Sequence, residues 1–125
     1  MAYDFNDTSP IYLQLIQVFC EKLIARQWKA GEKIPPVREL AVEYGVNPNT
    51  VQRALTQMEQ EGLLYTQRTS GRYITEDEEY IRRVRDNIAD DYIDEFINKM
   101  LALGLNKEEL EGKLTQKWRE LNGNH

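Results

Sequence analysis

The sequence contains very little of the chemistry that most enzymes and metal sites use. Its one histidine, His125, is the last of 125 residues, so the sequence has no internal histidine for acid–base catalysis or zinc binding. A phosphate-binding loop of the form GxxxxGK[ST] is also missing. The acidic residues at 76–79 and the pair Asp90-Asp91 are interpreted as charges of helix starts and solvated faces. We therefore expect no enzyme, no metal site and no cofactor.

Cysteine and long apolar runs are equally scarce. The single Cys20 cannot form an internal disulfide and lies in the apolar run LIQVFC, so we expect a buried structural thiol and not a nucleophile. No stretch approaches the roughly 18 consecutive apolar residues of a membrane span. The N-terminus also lacks the basic start and following apolar segment that are typical of a signal peptide. These features predict a cytoplasmic protein without a membrane partner.

The net charge of −5 disfavours nucleic acid at first sight, but its distribution does not. Residues 1–75 hold 8 basic and 8 acidic side chains, whereas residues 76–125 hold 8 basic and 13 acidic ones, which accounts for the whole net charge. A locally basic surface in the first part is therefore compatible with the sequence. We predict two domains, one at 1–75 and the other at 76–125.

The first predicted helix lies within SPIYLQLIQVFCEKLIARQW, residues 9–28. Ser9 is a suitable cap and Pro10 is suited to the first helical position. Apolar residues then recur every fourth position, at Ile11, Leu15, Phe19 and Leu23. The segment predicts an amphipathic helix of about four turns, and the loop AGEKIPP follows it.

Two further helices are separated by a tight turn. VRELAVEYG predicts a short helix that Gly45 ends, and NPNTVQRALTQMEQEG predicts a longer one that Gly62 ends. Asn47 is the expected cap of the longer helix and Pro48 its first residue. Two helices joined through a short turn with glycine form the helix-turn-helix pattern.

The next stretch, LLYTQR-TSG-RYIT, changes to a strand period and predicts a two-stranded hairpin whose turn contains Gly71. A helix-turn-helix followed by such a hairpin is a winged helix. Arg68 and Arg72 bracket the hairpin tip, where they can reach phosphates or an adjacent groove of DNA.

The third helix has two unlike sides at about 100° per residue. Its inner side carries Val51, Ala54, Leu55 and Met58. Its outward side is short, polar and without an acid until Glu59, and near its start it presents Asn49, Thr50, Gln52 and Arg53. Amide and guanidinium groups of this kind pair with adenine and guanine edges. The alternative for the isolated motif is an ordinary solvated helix start.

The residues after 75 predict two more helices. Thr75 with Glu78 and Asn106 with Glu109 are expected to form capping boxes. The longer helix should reach Gly104. Two helices cannot bury their own apolar stripes well, so we expect a homodimer interface that includes Ile88, Phe96, Ile97, Met100, Leu101 and Trp118. The alternative is packing of these residues on the chain's own domain.

The stretch GEKIPPVRELAVEYGVNPNTVQRALTQMEQEGLLYTQRTSGRYI, with SPIYLQL before it, resembles the GntR family of bacterial transcription regulators, and its short tail resembles the YtrA-type subfamily. The resemblance covers residues 9–75. It implies a mainly α fold with a small β-hairpin: an N-terminal winged helix-turn-helix and a two-helix dimerisation module. It also implies DNA contacts by Arg38, Asn47, Asn49, Thr50 and Gly71. Pro48 and Gln52 depart from the family pattern, because relatives often have arginine there.

These observations predict a DNA-binding regulator: a dimeric repressor of a palindromic operator, with a transporter operon as the target that the resemblance suggests. A small-molecule effector is left open, although two helices enclose too little volume for a deep pocket within one tail. The alternative function is a winged-helix module that binds another protein and not DNA. Such a module should expose apolar residues on the outward side of its third helix.

Overall fold

A computed structural model describes residues 4–123, and His125 lies outside them. Within that range the chain forms helices α1 (Ile11–Ile24), α2 (Val37–Tyr44), α3 (Pro48–Gln60), α4 (Glu78–Ala102) and α5 (Lys107–Gly123), and strands β1 (Leu64–Gln67) and β2 (Gly71–Ile74). β1 and β2 pair antiparallel, with Leu64 opposite Ile74 and Gln67 opposite Gly71. The predicted fold, mainly helical with one small hairpin, is confirmed.

Two of the predicted helix caps are wrong. Pro10, and not Ser9, occupies the cap position of α1, and no side chain caps that helix. At the start of α4, Asp77 takes the role predicted for Thr75: its Oδ1 accepts the backbone N–H of Tyr80 at 3.0 Å. Thr75 Oγ1 instead accepts the backbone N–H of Asp77 at 3.2 Å, two residues further along the chain, and so closes a tight turn before the helix.

The second capping box is confirmed at the start of α5. Asn106 Oδ1 accepts the backbone N–H of Glu109 at 2.8 Å, and Glu109 Oε1 accepts the N–H of Asn106 at 3.1 Å. Each side chain satisfies a helix-start donor of the other.

The core lies where α1 and α2 pack against α3. Phe19 is fully buried at its centre, with its ring centroid 5.2 Å from that of Trp28 and 5.5 Å from that of Tyr44, which it meets edge-on. Edge contacts of this kind stabilise aromatic pairs beyond the area that they bury. The predicted stripe of α1 is buried at Leu15, Phe19 and Leu23, whereas Ile11 at the helix start is 44% exposed.

Cys20 is a free thiol buried beside this core. Burial raises the pKa of the thiol from its ordinary 9.0 to about 11, and the nearby carboxylates of Glu61 and Glu21 add to the shift. The group therefore stays protonated at neutral pH, and a thiol, unlike a thiolate, is a poor nucleophile. The prediction of a structural thiol is confirmed.

Residues 31–34, where the sequence predicted a loop, pair with β2 along the side of the hairpin. Gly31 N–H donates to the carbonyl of Ile74 at 3.0 Å, and Ile34 N–H donates to the carbonyl of Arg72 at 3.0 Å. Because this pairing is with a strand far along the chain, local sequence patterns do not reveal it. It fixes the base of the hairpin, which we call the wing (residues 64–74), to the segment that precedes α2.

The described residues divide into two compact units, up to Arg85 and from Asp86 onward. This division differs from the predicted boundary after residue 75, because the first turns of α4 belong to the first unit, in which Ile81 is buried. None of the helices in residues 4–123 combines the length and apolar character that a membrane crossing requires.

Candidate nucleic-acid interface

The turn before α3 is built as the sequence predicts. Gly45 ends α2 with φ of +67°, a left-handed conformation that glycine adopts without a steric penalty. Asn47 then caps α3: its Oδ1 accepts the backbone N–H of Asn49 at 2.7 Å, and Pro48 is the first helical residue. The oxygen of the Asn47 side chain is thereby engaged within the protein, while its amide nitrogen has no acceptor among residues 4–123.

α3 separates its two sides cleanly. The predicted inner residues Val51, Ala54, Leu55 and Met58 are all buried, at 0–1% exposure. The outward residues Asn49, Gln52, Arg53, Thr56 and Gln60 are exposed, and Thr50 is half-buried. The outward side is therefore polar over its whole length, as reading base edges requires and as an apolar protein-docking surface would not be.

Asn49 and Arg38 are predicted contact residues at the starts of two successive helices. Among residues 4–123, the side chains of both have no hydrogen-bond or ionic partner, and both are exposed. Arg38 lies in the first turn of α2, and Asn49 lies in the first turn of α3. Both helix starts flank one open concave surface, which Pro36, Val37, Arg38, Glu39 and Pro48 line.

Arg53 stacks on Tyr12, a residue to which the sequence pattern gives no role in binding. Its guanidinium carbon lies 3.8 Å from the ring centroid of Tyr12, on α1. A cation stacked on an aromatic face is stabilised by about 0.5–1 kcal/mol at an exposed site and loses part of its rotamer freedom. Tyr12 therefore restrains Arg53 beside the start of α3, where Asn49 and Thr50 line the same shallow depression. Only the three-dimensional packing of α1 on α3 reveals this pair.

Arg72 has intramolecular partners on α3. Its Nε donates to Glu59 Oε1 at 3.2 Å, and one terminal nitrogen lies 3.5 Å from Gln52 Oε1. The same Glu59 oxygen accepts the hydroxyl of Thr66 at 2.7 Å. The arginine side chain is only 18% exposed. Two residues predicted as DNA contacts, Gln52 and Arg72, are thus placed against each other.

The tip of the wing is differently arranged. The turn comprises residues 68–70, and Gly71 begins β2 with φ of +118°, so this position requires glycine. A Cβ at Gly71 would lie 3.1 Å from the Cε of Lys33. Arg68 is exposed, and the part of the chain that the structure describes offers its side chain no partner. The wing therefore presents Arg68 outward while it holds Arg72 inward.

The predicted interface residues of the tail lie on a largely uncovered apolar surface. Phe96 and Ile97 are each 38% exposed, Leu101 is 57% and Trp118 is 64% exposed, while Ile88 and Met100 are half-buried. α5 buries none of its residues 107–123. Soluble monomers seldom expose so much clustered apolar surface.

The described residues contain no cluster of three or more histidine, cysteine, aspartate or glutamate side chains that could hold a metal ion. The recognition side of α3 and the wing offer amide, hydroxyl and guanidinium groups instead. Fold and surface together define a winged helix-turn-helix protein of the DNA-binding class.

The family model described as bacterial regulatory proteins, gntR family, matches residues 11–74. The chain belongs to the GntR family of bacterial transcription regulators. Members of this family are DNA-binding regulators and not enzymes, so both the family prediction and the expectation of a non-enzymatic protein are confirmed. The alternative of a module that does not bind DNA is not supported.

Two of the similar proteins match nearly the whole chain, and therefore its tail as well as the winged helix. The HTH-type transcriptional regulator YhcF of Bacillus subtilis is 38% identical over 113 residues, which cover 90% of this chain and 93% of that protein. The HTH-type transcriptional repressor YtrA of Bacillus subtilis is 44% identical over 73 residues, 58% of this chain and 56% of that protein. A GntR family regulator from Listeria monocytogenes has a solved structure with TM-score 0.83 and 37% identity, covering 90% of this chain and 98% of that one.

Proposed function

We propose that this protein is a dimeric repressor that binds a palindromic operator and blocks transcription by occupying it. The observation that carries the proposal is the polar outward side of α3, capped by Asn47 and free of acidic residues until Glu59. The similarity to YtrA, which is named a repressor, supports the direction of regulation. The protein would act in the cytoplasm, where the chromosome lies.

The contact residues divide by chemistry into two groups. Asn49, Thr50 and Arg53 are proposed to enter the major groove and read base edges, because they lie exposed or half-buried at the start of α3. Arg38 and Arg68 are proposed to bind backbone phosphates, because both guanidinium groups are exposed and lack partners within residues 4–123. Gly71 lets the wing backbone approach the minor groove.

Dimerisation through the tail would provide the second half-site contact. The apolar residues of α4 and α5 remain exposed in one chain, and a second copy with two-fold symmetry can cover them with the same surface. Two winged helices related by this symmetry read a palindrome whose half-sites lie about one helical turn, roughly 34 Å, or a multiple of it apart. The operon that the family resemblance suggests as a target is one for a transporter.

The base-reading role can be tested with fluorescence anisotropy on fragments of the protein's own promoter and on random duplexes. Asn49→Ala should weaken binding to the promoter site by roughly 1–3 kcal/mol and relax the preference at one base position. Gln60→Ala is the matched control, because Gln60 is an exposed amide at the far end of the same helix. It should change neither affinity nor preference.

An equal loss on the promoter site and on random DNA would refute base reading by Asn49. A failure of the unaltered protein to bind any promoter fragment at low salt would refute the proposed function as a whole. Where promoter fragments do bind, footprinting on the one that binds best gives the operator and the spacing of its half-sites.

A further inference from the structure

We infer that Glu59 is a positioning residue that keeps the wing arginine Arg72 against α3, so that Arg72 orients the wing and does not bind DNA phosphate. This inference rests on the proposed function, because it assigns a role within the same DNA-binding surface. It reverses the interpretation that the sequence gives to Arg72, which a position beside the wing turn would make a phosphate contact.

Two matched pairs of side chains create this contact. Gln52 and Glu59 are seven residues apart on α3, so they lie on the same side of the helix two turns apart. Thr66 and Arg72 lie directly opposite each other in the β1–β2 register, so their side chains share one face of the wing. The pair on the wing thus meets the pair on the helix.

The hydrogen bonds converge on a single carboxylate oxygen. Glu59 Oε1 accepts both the Thr66 hydroxyl at 2.7 Å and the Arg72 Nε at 3.2 Å, and therefore ties both strands of the wing to α3. The side-chain oxygen Oε1 of Gln52, 3.5 Å from a terminal nitrogen of Arg72, lies at the outer limit for a further hydrogen bond. Both donors belong to the wing, so removing the negative charge of Glu59 weakens both bonds and frees the Arg72 side chain.

Burial and charge favour the intramolecular position of Arg72 over a position on DNA. Its side chain is 18% exposed and that of Glu59 is 37% exposed, so water screens their attraction less than at an open surface. If Arg72 moved to a phosphate, it would leave the Glu59 carboxylate unpaired next to a polyanion. Arg68 lies in the hairpin turn and is exposed. Its side chain has no such competing partner among the described residues.

The consequence concerns specificity. A cation neutralised within the protein adds nothing to sequence-independent attraction, whereas each free cation that reaches a phosphate steepens the fall of log affinity with log salt by about 0.9. By holding Arg72, Glu59 lowers binding to random DNA and fixes the angle at which the wing approaches the groove. Glu59 is thus a specificity-determining residue that does not itself touch DNA.

The experiment measures binding of the full chain to a random-sequence duplex over a potassium chloride series. Arg72→Gln should leave the salt slope unchanged, whereas the matched control Arg68→Gln should flatten it by about 0.9 per bound protomer. Glu59→Gln should steepen the slope by a similar amount and tighten binding to random DNA, because Arg72 is released. The double variant Glu59→Gln/Arg72→Gln should return the slope to that of the unaltered protein.

Flattening of the slope by Arg72→Gln to the same extent as by Arg68→Gln would overturn the inference. So would a Glu59→Gln slope that persists in the double variant. If Glu59→Gln lowered the melting temperature but kept the salt slope of the unaltered protein, Glu59 would act in folding alone, and that result would also overturn the inference.

A second measurement needs no DNA. Glu59→Gln and Arg72→Gln should each lower the melting temperature by a few degrees, and the double variant should lower it no further than the larger single effect, because the contact is lost only once. Fully additive shifts would overturn the contact itself.

The two proposals fail in different ways. If the unaltered protein bound no duplex at low salt, the proposed function would fail and Glu59 would have no DNA-binding role. If the protein bound DNA but Arg72→Gln flattened the salt slope, only the role of Glu59 would be overturned.

Discussion

Phe96→Ala should weaken the dimer that we propose, and the structure sets the size of the effect. An aromatic side chain buries about 150–250 Å². The 38% of Phe96 that is exposed in one chain therefore corresponds to about 75 Å² available for a partner, worth about 2 kcal/mol at roughly 25 cal/mol per Å². Two-fold symmetry places the residue in the interface twice, so the loss is at most about 4 kcal/mol, close to a thousandfold in dissociation constant.

Sedimentation equilibrium of the full chain over a range of concentrations measures this constant directly. Asn98→Ala is the control, because Asn98 is exposed and lies about 200° around α4 from Phe96, on its polar side. The control should dimerise like the unaltered protein. Identical dissociation constants for both variants would show that this side of α4 is not the interface, and so would a monomeric unaltered protein at high concentration.

Three smaller predictions concern the winged helix. Asn47→Ala should lower the free energy of unfolding by about 1 kcal/mol in a urea titration, because α3 loses its cap. Tyr12→Leu should weaken promoter binding two- to fivefold, about 0.5–1 kcal/mol, through loss of the stacking that restrains Arg53, whereas Tyr12→Phe should not; equal losses would contradict stacking. Because the folded-state pKa of Cys20 is raised from 9.0 to about 11, its contribution to stability is complete below pH 9 and should decline as the pH rises toward 11, which Cys20→Ala should abolish in pH-dependent melting.

The features that local sequence patterns predicted are those that local chemistry determines. An asparagine before a proline caps a helix through a hydrogen bond two residues away, and the period of Val51, Ala54, Leu55 and Met58 places them on one side wherever the helix lies. Cap positions were less reliable where several candidates were adjacent. Asp77 displaced Thr75 because both stand close enough to the start of α4 to accept one of its free N–H groups.

Apart from these caps, the contacts that the sequence did not predict join residues that are distant along the chain. Three such contacts depend on how α1, α3 and the wing pack. They are the pairing of residues 31–34 with β2, the stacking of Arg53 on Tyr12, and the bond of Arg72 to Glu59. An arginine beside a hairpin turn has the same local pattern whether it binds DNA or the neighbouring helix. Only the position of an acidic partner on that helix separates the two roles.

The partners of the arginines also predict that DNA binding depends on dimerisation through the tail. In residues 1–75, where basic and acidic side chains balance, Arg26 pairs with Glu78 at 2.6 Å, Arg72 pairs with Glu59, and Arg53 stacks on Tyr12. Of the five arginines in that range, only Arg38 and Arg68 have no such partner among residues 4–123, so one winged helix alone should bind DNA weakly. Two joined copies convert the second half-site contact into an intramolecular event, which raises affinity without new contacts. A variant that dissociates the dimer, such as Phe96→Ala, should for this reason lose affinity for a full palindrome far more than for an isolated half-site.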